Sequence, residues 1–371
     1  MKPTTTRNIK DFSQSELAEI FTQLGEQKFR AKQCFLALYQ PTLRSFDEIS
    51  TLPQVFRTRL SEEFALFSMV ITNVQVSEDG TQKFLFTLSD GMAVEAVLIP
   101  SELVTEDGEP KRLTLCVSSQ VGCPLGCKFC ATASLKLKRN LSVGEIVDQF
   151  LLVQQSTDKP ITNMVFMGMG EPMLNYDNVM KAVEIFTHPD LQLLGSRHIT
   201  VSTAGILPGI MRMADENRSV KLAVSLHATT NVLREKLMPI SKAFTLQKLG
   251  EAVEYYYRKT HKPITYEYIL FEGLNDSELD VQRLARITRR VPSKVNVIPF
   301  HPIEFTNPEG FAAELQPTSK EKFQRFIAQL KHAGVTVMIR SSSGEDIDAA
   351  CGQLAFSKIA EQHAGSTNQI S

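Results

Sequence analysis

The chain has 371 residues, 43% of them hydrophobic and 22% charged, with 40 Lys and Arg against 41 Asp and Glu for a formal charge of −1. That balance excludes a bulk electrostatic pull toward nucleic acid or membrane, so any such binding must rest on local patches. No run approaches the roughly 20 apolar residues of a membrane helix, and "MKPTTTRNIKDFSQSELAEI" has no apolar core of signal-peptide length; the expectation is a cytoplasmic protein, in a compartment where thiols stay reduced.

Residues 1–70 read as a helical accessory domain. "SQSELAEIFTQLG" opens with capping residues and carries Leu17, Ile20, Phe21 and Leu24 at helical spacing; "FRAKQCFLALYQ" and "LPQVFRTRLSEEFAL" continue the style. Cys34 shares a helix with Phe35, Leu36 and Leu38 and reads as core. The period then changes. "MVITNVQV", "KFLFTLS" and "MAVEAVLIP", punctuated by "EDG" and "SDG", predict a small antiparallel β extension over residues 71–108.

Over residues 109–355 strand and helix alternate. The strands expected are "RLTLCVS", "NMVFMG", "HITVST", "VKLAVSLH", "ITYEYIL", "KVNVIPF" and "VTVMIR". The helices include "SVGEIVDQFLLVQQS", "YDNVMKAVEIF", "LQKLGEAVEYYYRK", "DVQRLARITRR" and "KEKFQRFIAQLKHAG". Serial βα units make this an α/β protein with a parallel sheet, open or barrel-like. Residues 356–371 are a polar tail. In such folds the site gathers at the C-terminal strand ends. The unusual residues fall there: 168–172, 202–203, 225–227, 299–301 and 340–343.

Three of the six cysteines, Cys123, Cys127 and Cys130, crowd into "GCPLGCKFCATA". Zinc would want a fourth ligand, and no Cys or His stands nearby in sequence. A [4Fe–4S] cluster held by three thiolates leaves one iron open. Gly168 and Gly170 in "GMGEP" allow close backbone approach to a ligand. Ser202 and Ser225-Leu226-His227 either bind a ligand or cap strand ends. Glu95 in "AVEAVLIP" is an acid in an apolar strand, either buried with a raised pKa or facing water on an edge. "SLKLKRN" brings Lys136, Lys138 and Arg139 to the mouth of the site, as phosphate contacts or as a solvated turn.

"CVSSQVGCPLGCKFC", "FMGMGEP", "SLHA" and "DIDAACGQLA", in this order, resemble the radical S-adenosylmethionine (SAM) superfamily and, within it, the RlmN/Cfr family of RNA methyltransferases. The resemblance implies a partial (β/α)6 barrel. It implies one [4Fe–4S] cluster on Cys123, Cys127 and Cys130, with SAM chelated by the open iron and held by Gly170, Glu171, Ser202, Ser225, Leu226 and His227. His301 in "FHP" stands where better-known members carry an SAM-contacting Asn. Cys351 would be the methyl carrier, Cys116 the thiol that releases the product through a Cys116–Cys351 disulfide, and Glu95 the proton acceptor. The implied substrates are an adenosine of 23S rRNA near the peptidyl-transferase centre and adenosine 37 of tRNAs. The implied partner is a cytoplasmic electron donor such as flavodoxin, with the enzyme a monomer away from membranes. Proline after Glu171 leans toward methylation at carbon 2, as in RlmN; carbon 8, as in Cfr, is the alternative. A non-catalytic RNA-binding protein with zinc at the three cysteines is a further reading, but it has no use for Cys116 and Cys351.

Overall fold

The computed structural model describes residues 7–339 and 343–355. Arg340, Ser341 and Ser342 of the expected site, and the tail 356–371, lie outside the described residues.

The first part is helical as expected: α1 (Gln14–Gln23), α2 (Lys28–Leu38) and α3 (Gln54–Glu63). A capping box starts α1. The Ser13 hydroxyl accepts the Glu16 N–H, and the Glu16 carboxylate accepts the Ser13 N–H. Leu17, Phe21, Phe35, Leu38, Phe56 and Leu60 face inward, and Cys34 is fully buried among them.

β1 (Met69–Val76), β2 (Gln82–Leu88) and β3 (Ala93–Pro100) form an antiparallel meander. They do not make a sheet of their own. β3 pairs antiparallel with β4 (Leu113–Cys116), which opens a parallel run of β5 (Asn163–Phe166), β6 (Ile199–Thr203), β7 (Lys221–Ser225), β8 (Ile264–Leu270), β9 (Ser293–Pro299) and β10 (Val337–Ile339). All ten strands join in one sheet, ordered β10-β9-β8-β7-β6-β5-β4-β3-β2-β1. The two end strands are not paired to each other. The parallel portion is therefore an open barrel, and its meander edge places Glu95 on an internal strand.

Helices α4 (Val143–Gln155), α5 (Tyr176–Phe186), α6 (Leu207–Asp215), α8 (Leu246–Thr260), α9 (Glu278–Thr288) and α10 (Lys320–His332) return the chain between parallel strands. A shorter helix, α7 (Asn231–Leu237), sits between β7 and α8. Such crossovers send every strand the same way, so the β-to-α turns collect at one end of the sheet.

A buried ion pair fastens the helical part to this core. The Lys10 ammonium lies 2.9 Å from an Asp148 oxygen on α4, with both side chains inaccessible. Asp148 also accepts from Asn8 Nδ2 at 2.7 Å and the Ser68 N–H at 2.9 Å, while Lys10 stands over the Phe67 ring. Burial pulls the Lys10 pKa down and pushes that of Asp148 up; each is opposed chiefly by the charge of the other.

Candidate active site

The turns after β4, β5, β6 and β7 meet over a cleft lined by Cys123, Cys127, Cys130, Gly170, Glu171, Ser202, Ser225, His227 and Cys351. Its interior volume is about 120 Å³.

The three thiols of the cluster loop share this cleft. Burial is the main cause raising their pKa values, Cys123 to about 12, and the sulfurs also repel one another. Backbone N–H groups offset this. Leu125 donates to the Cys123 sulfur, and Thr132 and Ala133 donate to that of Cys130. Crowded thiolates with amide hydrogens aimed at them suit a bound cationic centre. Among the described residues no group of three or more His, Cys, Asp or Glu side chains is arranged to hold a metal ion.

Glu171 is 3% exposed and burial pushes its carboxyl up to about 7, against hydrogen bonds from the N–H groups of Ala204 (2.8 Å) and Met173 (3.0 Å). Those amides fix the carboxylate on the cleft wall. The glycines before it have a different cause from the expected one. A Cβ at Gly168 would lie 2.7 Å from the Val117 carbonyl oxygen, and one at Gly170 2.6 Å from Gln120 Cβ. They are small because the 168–170 turn packs on the 117–120 segment, not only for a ligand's sake.

His227 adopts a left-handed backbone (φ 51°). Its Nδ1 accepts the Ile269 N–H at 3.0 Å, and its ring stands edge-on to Phe129. Burial drives its pKa down to about 3, so it is a neutral imidazole with the proton on Nε2. Leu226 does not line the cleft. Its side chain is core, its N–H donates to the Glu267 carbonyl and its own carbonyl accepts from Arg234.

A smaller cavity adjoins the cleft, and Cys351, Gly352, Leu354, Met167 and Ile298 line both. Cys116 and His301 face this second cavity, with Val97 and Ser343. His301, expected beside the cofactor, therefore sits with the two outlying cysteines, and its Nδ1 is 3.5 Å from a Glu345 oxygen. Glu95 is one rung along β3 from Val97 and points to the same face. It is 2% exposed, and burial pushes its carboxyl up to about 7. This settles the edge-strand alternative.

Three buried charges were not legible in the sequence. Arg234 of α7 is fully buried; its guanidinium donates to the carbonyls of Ala204 (2.8 Å), Ser225 (2.9 Å) and Leu226 (3.2 Å), bracing two strand ends beneath the cluster loop. Glu267 lines the cleft floor and accepts from Asn296 Nδ2 at 3.0 Å. Lys83 is buried on β2. Conversely, Arg139 is spent internally, at 2.7 Å from Glu145 and 2.7 Å from Asp90. Of the three expected phosphate contacts only Lys136 and Lys138 stand exposed.

Residues 117–285 match the radical SAM superfamily, and residues 7–66 match the ribosomal RNA large subunit methyltransferase N-terminal domain. A Syntrophobacter fumaroxidans protein named "Dual-specificity RNA methyltransferase RlmN" is 42% identical, aligned over 93% of this chain and 97% of its own. The chain belongs to the RlmN family of radical SAM enzymes. A second RlmN relative, from Flavobacterium johnsoniae and named "Probable dual-specificity RNA methyltransferase RlmN", is 41% identical over 94% of this chain and 97% of its own. The crystal structure of a radical SAM methyltransferase from Sphaerobacter thermophilus superposes with a TM-score of 0.85 at 37% identity, covering 94% of this chain and 99% of that one. Among the described residues no helix is long and apolar enough to cross a membrane.

Proposed function

We propose that this RlmN-family chain methylates carbon 2 of adenosine, in 23S rRNA and at adenosine 37 of tRNAs, through a methylated Cys351. The observation that carries the reading is that Cys351 lines both the three-cysteine cleft and the cavity of Cys116. Cys123, Cys127 and Cys130 would hold a [4Fe–4S] cluster, and Gly170, Glu171, Ser202, Ser225 and neutral His227 would frame SAM. When bound and reduced, this pair supplies an adenosyl radical.

The protein's own groups do the rest. Carbon 2 of adenine is electron-poor and cannot itself attack a sulfonium methyl, so a nucleophile must carry the methyl first. Cys351 takes it by displacement at the methyl carbon, its sulfur losing the thiol proton and the SAM sulfur leaving as S-adenosylhomocysteine. After hydrogen abstraction, the methylene joins the ring and the RNA is tethered through sulfur. Glu95 takes the displaced ring proton, and the adduct gives up one electron, which the bound cluster would accept. Cys116, losing its proton, attacks the Cys351 sulfur; the S–C bond breaks, the freed methylene takes a proton to become the RNA methyl, and a Cys116–Cys351 disulfide is left, which a cellular dithiol must reduce. Lys136 and Lys138 at the rim, with the N-terminal helices, would meet RNA phosphates. A flavodoxin-class protein would deliver the electron. The enzyme would act as a cytoplasmic monomer.

Mass spectrometry of RNA incubated with enzyme, SAM and a low-potential reductant tests the proposal by locating the methyl. Carbon 2 supports it, carbon 8 reassigns the regiochemistry, and zinc in place of iron in the purified protein would sink it.

A further inference from the structure

Lys83 stands where a lysine is costly. It is 3% exposed, on an internal strand of a meander whose neighbours are Phe84 and Phe86. Its ammonium donates to the Asp348 carbonyl at 3.3 Å. In the β2–β3 register Leu85 faces Glu95 and Lys83 faces Val97, so Lys83 and Glu95 are diagonal neighbours on one face. The charged groups felt by Glu95 are Lys83 from β2 and Asp348 from the loop that ends at Cys351.

The same loop is tied to the tip of the same hairpin. The Gly344 N–H donates to an Asp79 oxygen at 2.9 Å. Asp346 accepts from the Ser77 hydroxyl and from the Glu78 N–H at 3.2 Å. The meander thus carries the acid on one strand and, through its β1–β2 turn, holds the segment bearing Cys351.

We propose that Lys83 is a positioning residue that couples the seating of the Cys351 loop to the charge of Glu95, its ammonium donating to the Asp348 carbonyl on the face that Lys83 shares with Glu95. This rests on Glu95 being the base. With the loop seated, the ammonium is anchored on the face it shares with Glu95 and opposes the upward push of burial on that carboxyl more strongly than the Asp348 charge reinforces it. With the loop displaced, Lys83 loses its carbonyl anchor and Glu95 loses a fixed counter-charge. Proton removal is thereby reserved for the state in which the methyl carrier is in place.

The test uses the reconstituted holoenzyme and measures single-turnover RNA methylation against pH, with iron content and the mass of methylated Cys351 read in parallel. Lys83→Met should keep its iron and its Cys351 methylation but move the midpoint of the acid limb upward by about one pH unit or more; Lys83→Arg should restore it. Asp79→Ala cuts the Gly344 tether without touching Lys83 or Glu95, and should move the limb the same way by less, so the proposal stays open to refutation even if Lys83→Met does not fold. An acid limb unmoved in Asp79→Ala, or in a folded Lys83→Met, overturns the coupling. Glu95→Gln separates the two readings: loss of RNA methylation there keeps the base in place, whereas a wild-type rate and limb would remove the base and this inference with it.

Discussion

The Ala131 amide donates to the Gly352 carbonyl at 2.7 Å. One hydrogen bond thus joins the residue after the last cluster cysteine to the residue after Cys351. The Thr132 hydroxyl repeats the link to the Leu354 carbonyl at 2.6 Å. The Cys351 segment is registered against the three-cysteine loop by backbone geometry.

That register depends on Gly352, which has φ +88° and whose Cβ would lie 3.0 Å from the Phe129 carbonyl oxygen. A β-branched residue there is strained by about 1–3 kcal/mol. Gly352→Val should leave iron content unchanged and slow Cys351 methylation by roughly 5- to 100-fold, read by intact-protein mass. Unchanged Cys351 methylation would show that the register is not needed.

Removing either outlying thiol separates the two halves of the reaction. Cys351→Ala should retain the cluster absorbance yet give no methylated RNA. Cys116→Ala should accumulate a covalent protein–RNA adduct, visible as a band that denaturing gels do not resolve. Free methylated RNA from Cys116→Ala at the wild-type rate would refute its resolving role.

The pH dependence of Glu95 has opposite signs for stability and rate. Its carboxyl, raised from the usual 4.5 to about 7 chiefly by burial, keeps its proton in the folded chain where the unfolded chain has lost it. Stability therefore falls as pH rises through that window, by up to about 3 kcal/mol, and levels off above it. A rate that needs the carboxylate climbs through the same window. Glu95→Gln should remove the stability loss in melts taken across it and abolish RNA methylation; a wild-type pH slope in the melts would place the titration elsewhere.

Asp148→Ala should cost about 3–5 kcal/mol, because it strands the Lys10 ammonium in the interior. Replacing both partners, Lys10→Met with Asp148→Leu, should cost distinctly less. Urea unfolding of both single variants and the double variant gives the comparison, and a double loss equal to the sum of the single losses would mean the pair does not interact.

Much of the fold could be read from periodicity. "ITYEYIL" and "YDNVMKAVEIF" are the strand and helix their patterns suggest. The helices α6 and α7 escaped because "LPGIMRMAD" begins with Pro-Gly and Asn231–Leu237 is only seven residues. The cysteines and Glu171 were legible because their residue types and spacing carry the chemistry. Arg234 and Lys83 were not: in sequence each is an ordinary cation at the polar end of an apolar run. Only backbone carbonyls brought from other parts of the fold make them interior charges. Arg139 failed in the other direction, since no local pattern reveals that Asp90 and Glu145 converge on it.

Asp148 has Gln149 as its neighbour on α4, and Gln149 grips both backbone groups of Ser118, accepting its N–H at 2.8 Å and donating to its carbonyl at 3.0 Å. One residue of this helix therefore fastens the N-terminal helices and the next fastens the backbone between Cys116 and Cys123. The helical segment is not a removable handle. Cutting it away would expose a naked carboxylate one position from the clamp on the segment that leads into the three-cysteine loop, so a truncated enzyme that fails on RNA has not thereby been shown to lack only its grip.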